Sequence, residues 1–199
     1  SVDLFESADS NNMLGLLYES GKGVKINYSK AFTYYKKAAK KGNPFAQGNL
    51  GRLYISGYGV EQNYYLAKEW LVKAAEQGNI VSWYVLGSCY YQGKQDYEQA
   101  TYWWNKAAEL GDSYAQSDLG YCYLLGKGVV QDNEKAVYWF TKAAEQGDAY
   151  GQYNLANCYR KGQGIEQNLE KANYWWTKAA GQGVAGAQYN LGYYYSIKE

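Results

Sequence analysis

An all-α array of antiparallel helix pairs is the fold class that three features of the sequence predict. First, the Leu of each Leu-Gly-type dipeptide recurs at Leu14, Leu50, Leu86, Leu119, Leu155 and Leu191, with spacings of 36, 36, 33, 36 and 36 residues. Second, Ala-Ala pairs at 38–39, 74–75, 107–108, 143–144 and 179–180 keep the same rhythm. Third, each unit holds two stretches of helical periodicity separated by glycine-rich turns. A fixed repeat of this length means that no unit buries its apolar face alone, so neighbours stack into an α-solenoid. The 199-residue chain reads as a single array, with units at about 10–43, 44–79, 80–112, 113–148 and 149–184 and a closing half-unit at about 185–197.

The first helix of each unit is marked by residues such as Ala46, Leu50, Gly51 and Tyr54, which share one helical face. Gly51 and its equivalents Gly15, Gly87, Gly120 and Gly192 sit inside that helix, where glycine costs about 1 kcal/mol relative to alanine. A cost repeated at one place signals close approach of a neighbouring helix. Ala156 replaces this glycine in the fifth unit. The second helix carries Ala67, Trp70, Leu71, Ala74 and Ala75, and the aromatic expected in the core recurs as Tyr34, Trp103, Trp139 and Trp175. Such rings remove about 150–250 Å² each from water.

Capping residues punctuate the pattern. Asn27, Asn63, Asp96, Asp132 and Asn168 stand where the second helices begin, and Asn43, Asn79, Asp112 and Asp148 where the next first helices begin. Pro44 suits a first helical position. Gly42, Gly78, Gly111, Gly147 and Gly183 stop the second helices. Val184 breaks the rule, and the cap expected before Asn12 is weak. The third unit lacks three residues between Gly93 and Asp96, where other units carry a turn such as Gly57-Tyr58-Gly59-Val60. A loop is expected to absorb that loss with both helices intact.

Composition excludes several functions. Net charge is +1 without a block of like charge, so neither nucleic acid nor an anionic membrane surface is an expected partner. No apolar run approaches the ~18 residues of a membrane span. The opening "SVDLFESADS" is not a signal peptide, although one could precede it. Histidine is absent, which removes the commonest general base and metal ligand.

The pattern "A…LG..Y..G.GV..N..KA..W..KAAEQG" resembles Sel-one-like repeat proteins, a branch of the tetratricopeptide-like α-solenoids. The segments "AKEWLVKAAEQGN" (67–79) and "AVYWFTKAAEQGD" (136–148) carry the resemblance most strongly, and it spans roughly residues 10–197. It implies a right-handed superhelix with first helices lining the concave side. It also implies adaptor or scaffold roles in bacterial signalling, secretion, envelope biology or virulence, including antidotes to secreted toxins. A bacterial source follows from the resemblance. The compartment stays open between cytoplasm and periplasm or exterior.

The first helix divides into two arcs. Numbering from the Ala46-type position as zero, at about 100° per residue, positions 0, +1, +4, +5, +7 and +8 share one side and are repeated between units. Positions +2, +3, +6, +9 and +10 share the other side and differ between units, so packing does not dictate them. That variable face includes Arg52, Tyr84, Ser88, Tyr91, Asp118, Tyr121, Tyr153, Asn157, Arg160 and Tyr193, and in the first unit Met13, Leu16 and Glu19. Tyrosine and arginine are enriched at binding hot spots. The predicted function is therefore non-catalytic recognition of a protein partner along the concave face, without cofactor or metal. The alternative is binding of a glycan or peptidoglycan fragment stacked on Tyr84, Tyr91, Tyr121 and Trp83.

Other signals weigh little. Cys89, Cys122 and Cys158 all occupy position +7, where Leu17 and Leu53 stand in other units, so each is expected to be a buried free thiol. The "GKG" stretches at 21–23 and 126–128 lack the Lys-Ser/Thr of a phosphate-binding loop and read as interhelical turns. The variable arc offers no evident carboxylate pair for acid–base chemistry.

Overall fold

A computed structural model describes residues 7–196 of the chain, with the side chains at positions 93 and 94 outside that description. The last residue of the predicted closing half-unit, 197, and the opening residues 1–6 also lie outside it. Among the described residues there are eleven α-helices and no strand. They are α1 (Ala8–Ser20), α2 (Tyr28–Lys40), α3 (Pro44–Ser56), α4 (Tyr64–Glu76), α5 (Ile80–Cys89), α6 (Tyr97–Glu109), α7 (Ser113–Leu125), α8 (Asn133–Glu145), α9 (Ala149–Lys161), α10 (Leu169–Gly181) and α11 (Ala185–Ser196). The chain divides after Gln95 into two compact bodies. In the first, successive helices from α1 to α5 pack on one another. In the second, α6 to α11 do the same. This is the helix-pair order of an α-solenoid.

The caps act where the sequence places them. Asn27, Asn63, Asp96, Asp132 and Asn168 each accept a backbone N–H from the first turn of a second helix, as Asn43, Asn79, Asp112 and Asp148 do for first helices. The start of α1 differs from expectation. Ser7 caps it, its Oγ accepting from the Ser10 N–H at 3.0 Å, so the helix begins well before Asn12.

The second helices bury a different ring from the expected one. Tyr35, Leu71, Trp104, Phe140 and Trp176 are the fully inward residues, none more than 3% exposed. Trp70 and its equivalents one residue earlier are half-buried, apart from Trp139 at 9% exposure. The inward side chain meets the glycine of the first helix. A Cβ added at Gly15 would stand 2.5 Å from the Tyr35 ring, at Gly51 2.6 Å from Leu71, and at Gly120 2.8 Å from Phe140. Ala156 instead packs in a cluster with Trp176, so the fifth hairpin accommodates one methyl. At Gly192 no described atom lies within 4 Å of such a Cβ, so the close approach expected there does not occur within the described chain.

The glycine turns are packed parts, not free loops. A Cβ at Gly59 would lie 2.3 Å from the Tyr28 backbone, at Gly128 2.1 Å from that of Tyr97, and at Gly164 2.2 Å from that of Asn133. Each turn thus presses onto the first residue of the preceding second helix. The third repeat, lacking this turn, shows what the deletion costs. Its α5 has 10 residues where α1, α3, α7 and α9 have 13. The chain then widens into a π-helical turn, Tyr90–Lys94, and Gln95 adopts φ 52°. Gln95 is the one positive-φ non-glycine among the described residues. The expectation that both helices survive intact holds for α6, which keeps 13 residues, and is corrected for α5: three fewer residues must span from Gly93 to the cap Asp96, and the end of the first helix is rewound to do it.

Two stability predictions result. Left-handed backbone costs a non-glycine residue about 1–2 kcal/mol, so Gln95→Gly should raise stability by about 1 kcal/mol, read as a higher urea midpoint at constant slope. Gly120→Ala gains helix propensity but forces the Phe140 ring aside. Overpacking of this kind costs about 1–3 kcal/mol, so the same measurement should show a lower midpoint.

Candidate partner-binding faces

The variable face is described separately in each body. In the first body, α1, α3 and α5 carry it. Met13 is 57% and Leu16 39% exposed. Arg52, Tyr84, Ser88 and Tyr91 are each half-buried. Arg52 does not project freely: its Nη2 donates to Glu19 Oε1, and the Tyr35 hydroxyl donates to Glu19 Oε2 at 2.7 Å. Asn49 donates to Asn12 at 3.4 Å beside this cluster. Ser88 Oγ turns back to the Tyr84 carbonyl at 3.1 Å.

The Glu19–Tyr35–Arg52 cluster ties the variable face to the core. Tyr35 is fully buried, and its hydroxyl needs an acceptor there. Burial raises its pKa above the ordinary 10.0, the Glu19 hydrogen bond and negative charge raise it further, and the Arg52 charge opposes them. The sequence held a signal for this pairing. Tyr35 is the one hydroxyl-bearing residue among the inward set, and Glu19 is the carboxylate that the variable arc offers in that repeat.

In the second body, α7, α9 and α11 carry the face. Asp118 is half-buried, Tyr121 is 40% exposed and Tyr193 is 63% exposed. Tyr153 is half-buried and lies against α11, its hydroxyl 2.8 Å from where a Cβ on Gly186 would stand. It fills a helix–helix seam. Asn190 donates to Asn157 at 3.3 Å. Arg160 is exposed and, with Tyr189, Asn190 and Tyr193, lines a cavity of about 460 Å³ over Trp176. Arg160 and Tyr193 therefore come together at one site, whereas Tyr153 faces a neighbouring helix.

A polar ladder escaped the sequence reading. Gln47, Gln116 and Gln152, at the +1 position and at most 5% exposed, donate to the Ala39, Ala108 and Ala144 carbonyls at 3.0–3.3 Å. Each then accepts from the glutamine of the next Glu-Gln-Gly or Gly-Gln-Gly stop: Gln77, Gln146 and Gln182, at 2.7, 2.7 and 2.9 Å. Trp83 fills the same role in the third repeat, its indole N–H donating to the Ala75 carbonyl at 2.9 Å. Recurring glutamine at a core angle was the available signal, because a buried amide must find partners.

The three cysteines are free. Cys122 and Cys158 are buried as expected. Cys89 is only half-buried, which corrects the expectation that all three are core. Burial pushes the thiol of Cys89 up to about 11, of Cys158 to about 11 and of Cys122 to about 12. For Cys122 the charge of Asp118 adds to the rise and Lys127 opposes it. Among the described residues no group of three His, Cys, Asp or Glu could hold a metal ion.

Stacked helix hairpins with a uniform packed arc and a variable outer arc define a helical-repeat scaffold. The Sel1 repeat profile matches residues 8–43, 44–79, 84–112, 113–148, 149–184 and 185–197, and the chain belongs to the Sel1 repeat family. It is similar to a Sel1 repeat protein from Oxalobacter formigenes, with 36% identity, a TM-score of 0.88, and coverage of 96% of this chain and 77% of that one. It is also similar to a protective antigen of uropathogenic Escherichia coli that displays this fold, with 38% identity, a TM-score of 0.85 and coverage of 94% of this chain. The chain spans only 40% of the length of that antigen. An immunity protein from Pseudomonas aeruginosa matches at 25% identity and a TM-score of 0.61, over 90% of this chain and 67% of that one. No curated protein sequence matches the chain.

Three measurements check this geometry. Glu19→Ala leaves the buried Tyr35 hydroxyl without its acceptor and should cost about 1–3 kcal/mol, with Tyr35→Phe in the same background recovering part of the loss. Stability should also fall as pH rises past 10, because the unfolded chain releases the Tyr35 proton and the folded chain holds it. In thiol labelling of the native protein, Cys89 should react before Cys122 and Cys158. Its rate should climb about tenfold per pH unit toward pH 11, since the thiolate is the nucleophile.

Proposed function

We propose that the chain is a non-catalytic scaffold that binds a protein partner through the variable faces of its first helices. Sel1 repeat proteins generally mediate protein–protein interactions. The observation that carries the reading is the exposure of Tyr121 and Tyr193 on faces whose residues change from repeat to repeat while the packed arc stays uniform. An aromatic ring held half out of a rigid helix brings a large contact area at low entropic cost. Met13 and Leu16 add apolar surface at the other end of the chain. Arg160, exposed beside Tyr193 at the 460 Å³ cavity, supplies a charge that a partner carboxylate would satisfy.

A narrower reading has its own support. The similarity to Pseudomonas aeruginosa immunity proteins favours a secreted toxin as the partner, neutralised by binding. Trp83, once a candidate for sugar stacking, spends its indole N–H on the Ala75 carbonyl, and nothing in the geometry favours a glycan.

The test compares two baits in affinity purification from the source bacterium: the wild-type chain and a Tyr121→Ala/Tyr193→Ala variant. Both positions are exposed, so the variant should fold. A protein enriched by the first and at least tenfold depleted by the second is the expected result. Equal recovery of every protein by both baits overturns the face assignment. Repeating the comparison with Tyr153→Ala should change stability more than recovery, because that ring packs against Gly186.

A further inference from the structure

The repeats show what covers the start of each second helix. In the second repeat the Gly57-Tyr58-Gly59-Val60 turn lies on α2: Tyr58 packs on the Tyr28 ring at 5.0 Å, Gly59 abuts the Tyr28 backbone, and Val60 joins the cluster around Phe32 and Tyr54. In the fourth repeat Gly126-Lys127-Gly128 lies on α6, with Lys127 over the Tyr97 ring at 5.0 Å and the Gly128 carbonyl accepting from Thr101 at 3.3 Å. In the fifth, Gln163 donates to Asn133 at 3.3 Å, Gly164 abuts its backbone, and Ile165 packs on the α8 cluster. The same turn docks three times, with a middle residue on the first side chain and a glycine against backbone, and in the second and fifth repeats an aliphatic packs below.

Among the described residues no such turn covers α4, because the third repeat lost it. A cavity of about 690 Å³ lies there, lined by Tyr64, Tyr65, Lys68, Val72, Cys89 and Tyr90 among others. Tyr64, Lys68 and Tyr90 stand 36 residues after Tyr28, Phe32 and Tyr54, the residues around the docked turn on α2. Tyr64 and Tyr65 are 50% and 71% exposed. Cys89 is half-buried where Leu53, Cys122 and Cys158 are buried. Lys68, standing where Phe32 and Val137 stand elsewhere, rests its ammonium over the Tyr90 ring at 4.5 Å.

We propose that the cavity along α4 is a second docking site, taking a Gly-x-Gly-aliphatic turn from a protein partner in the place of the deleted one. Tyr64, like Tyr28 beneath Tyr58, suits a tyrosine at x. Its walls carry Lys68 and Lys73 against Glu69 and Glu76, so charge balances and an uncharged turn is complementary. The size falls in the range of about 300–1,000 Å³ typical of ligand clefts. This site is separate from the first-helix faces and does not rest on them.

The chain supplies its own probe and its own control. The probe is a peptide of residues 55–62, "ISGYGVEQ"; the control carries Asp in place of Val60. Inserting Gly-Val-Val after Lys94 converts Gly93-Lys94-Gln95-Asp96 into the seven-residue sequence of Gly126–Asp132 and should refill the cavity. The readout is the rate of maleimide labelling of Cys89 in the folded protein. At about 1 mM, suited to weak binding, the peptide should slow labelling about threefold or more, and the control should not. The insertion should slow it at least tenfold without peptide and abolish the peptide's effect. Protection by the insertion but not by the peptide overturns the docking site. Unchanged labelling in the insertion variant overturns the placement of the turn, and equal protection by both peptides overturns its chemistry. Concentration-dependent self-association that the insertion removes would give the site to a second copy of the chain and overturn the partner assignment.

Discussion

The hairpin rests on the contact between a mid-helix glycine and one bulky residue of the second helix. Gly15 against Tyr35, Gly51 against Leu71 and Gly120 against Phe140 bring backbone within reach of a side chain that water does not touch. The entropic penalty of glycine is met by burial of that side chain, at about 25 cal/mol per Å² of apolar surface. Because the approach recurs in successive hairpins, the direction of each first helix is set by its own partner. Its opposite arc takes no part in that contact.

Hairpins still have to be joined, and two devices do it. The glutamine ladder satisfies the last carbonyls of one second helix with the first helix that follows, and accepts from the stop glutamine of its own repeat. The glycine turn closes the other end by lying on the preceding second helix. Both are local and repeated, as expected of a quasi-one-dimensional protein whose stability is a sum over neighbours. Losing one turn therefore damages one junction. In the third repeat the damage appears as a π-helical turn, a left-handed Gln95 and an uncovered α4.

The variable arc has a mixed composition of duties. Glu19 is held by both Tyr35 and Arg52, and Tyr153 seals the α9–α11 seam. Tyr121 and Tyr193 remain open to solvent. A face of this kind is rigid where it touches the core and adjustable where it does not, which suits recognition by a preorganised surface.

The sequence by itself determined the helix pairs, their caps and the arc that packs. Those depend on periodicity and on side-chain-to-backbone bonds three residues apart, interactions short enough to be read along the chain. It also marked each glycine contact, because a penalty repeated at one register needs a neighbour. Only the tertiary structure decided which aromatic points inward, Tyr35 or Tyr34, since adjacent residues differ by about 100° on a helix and the neighbouring hairpin selects between them. The same holds for Tyr153 against Gly186, for Glu19 bridging Tyr35 and Arg52, and for the glycine turn. That turn reads as a loop until the helix beneath it, about 30 residues earlier in the chain, is brought into contact by stacking.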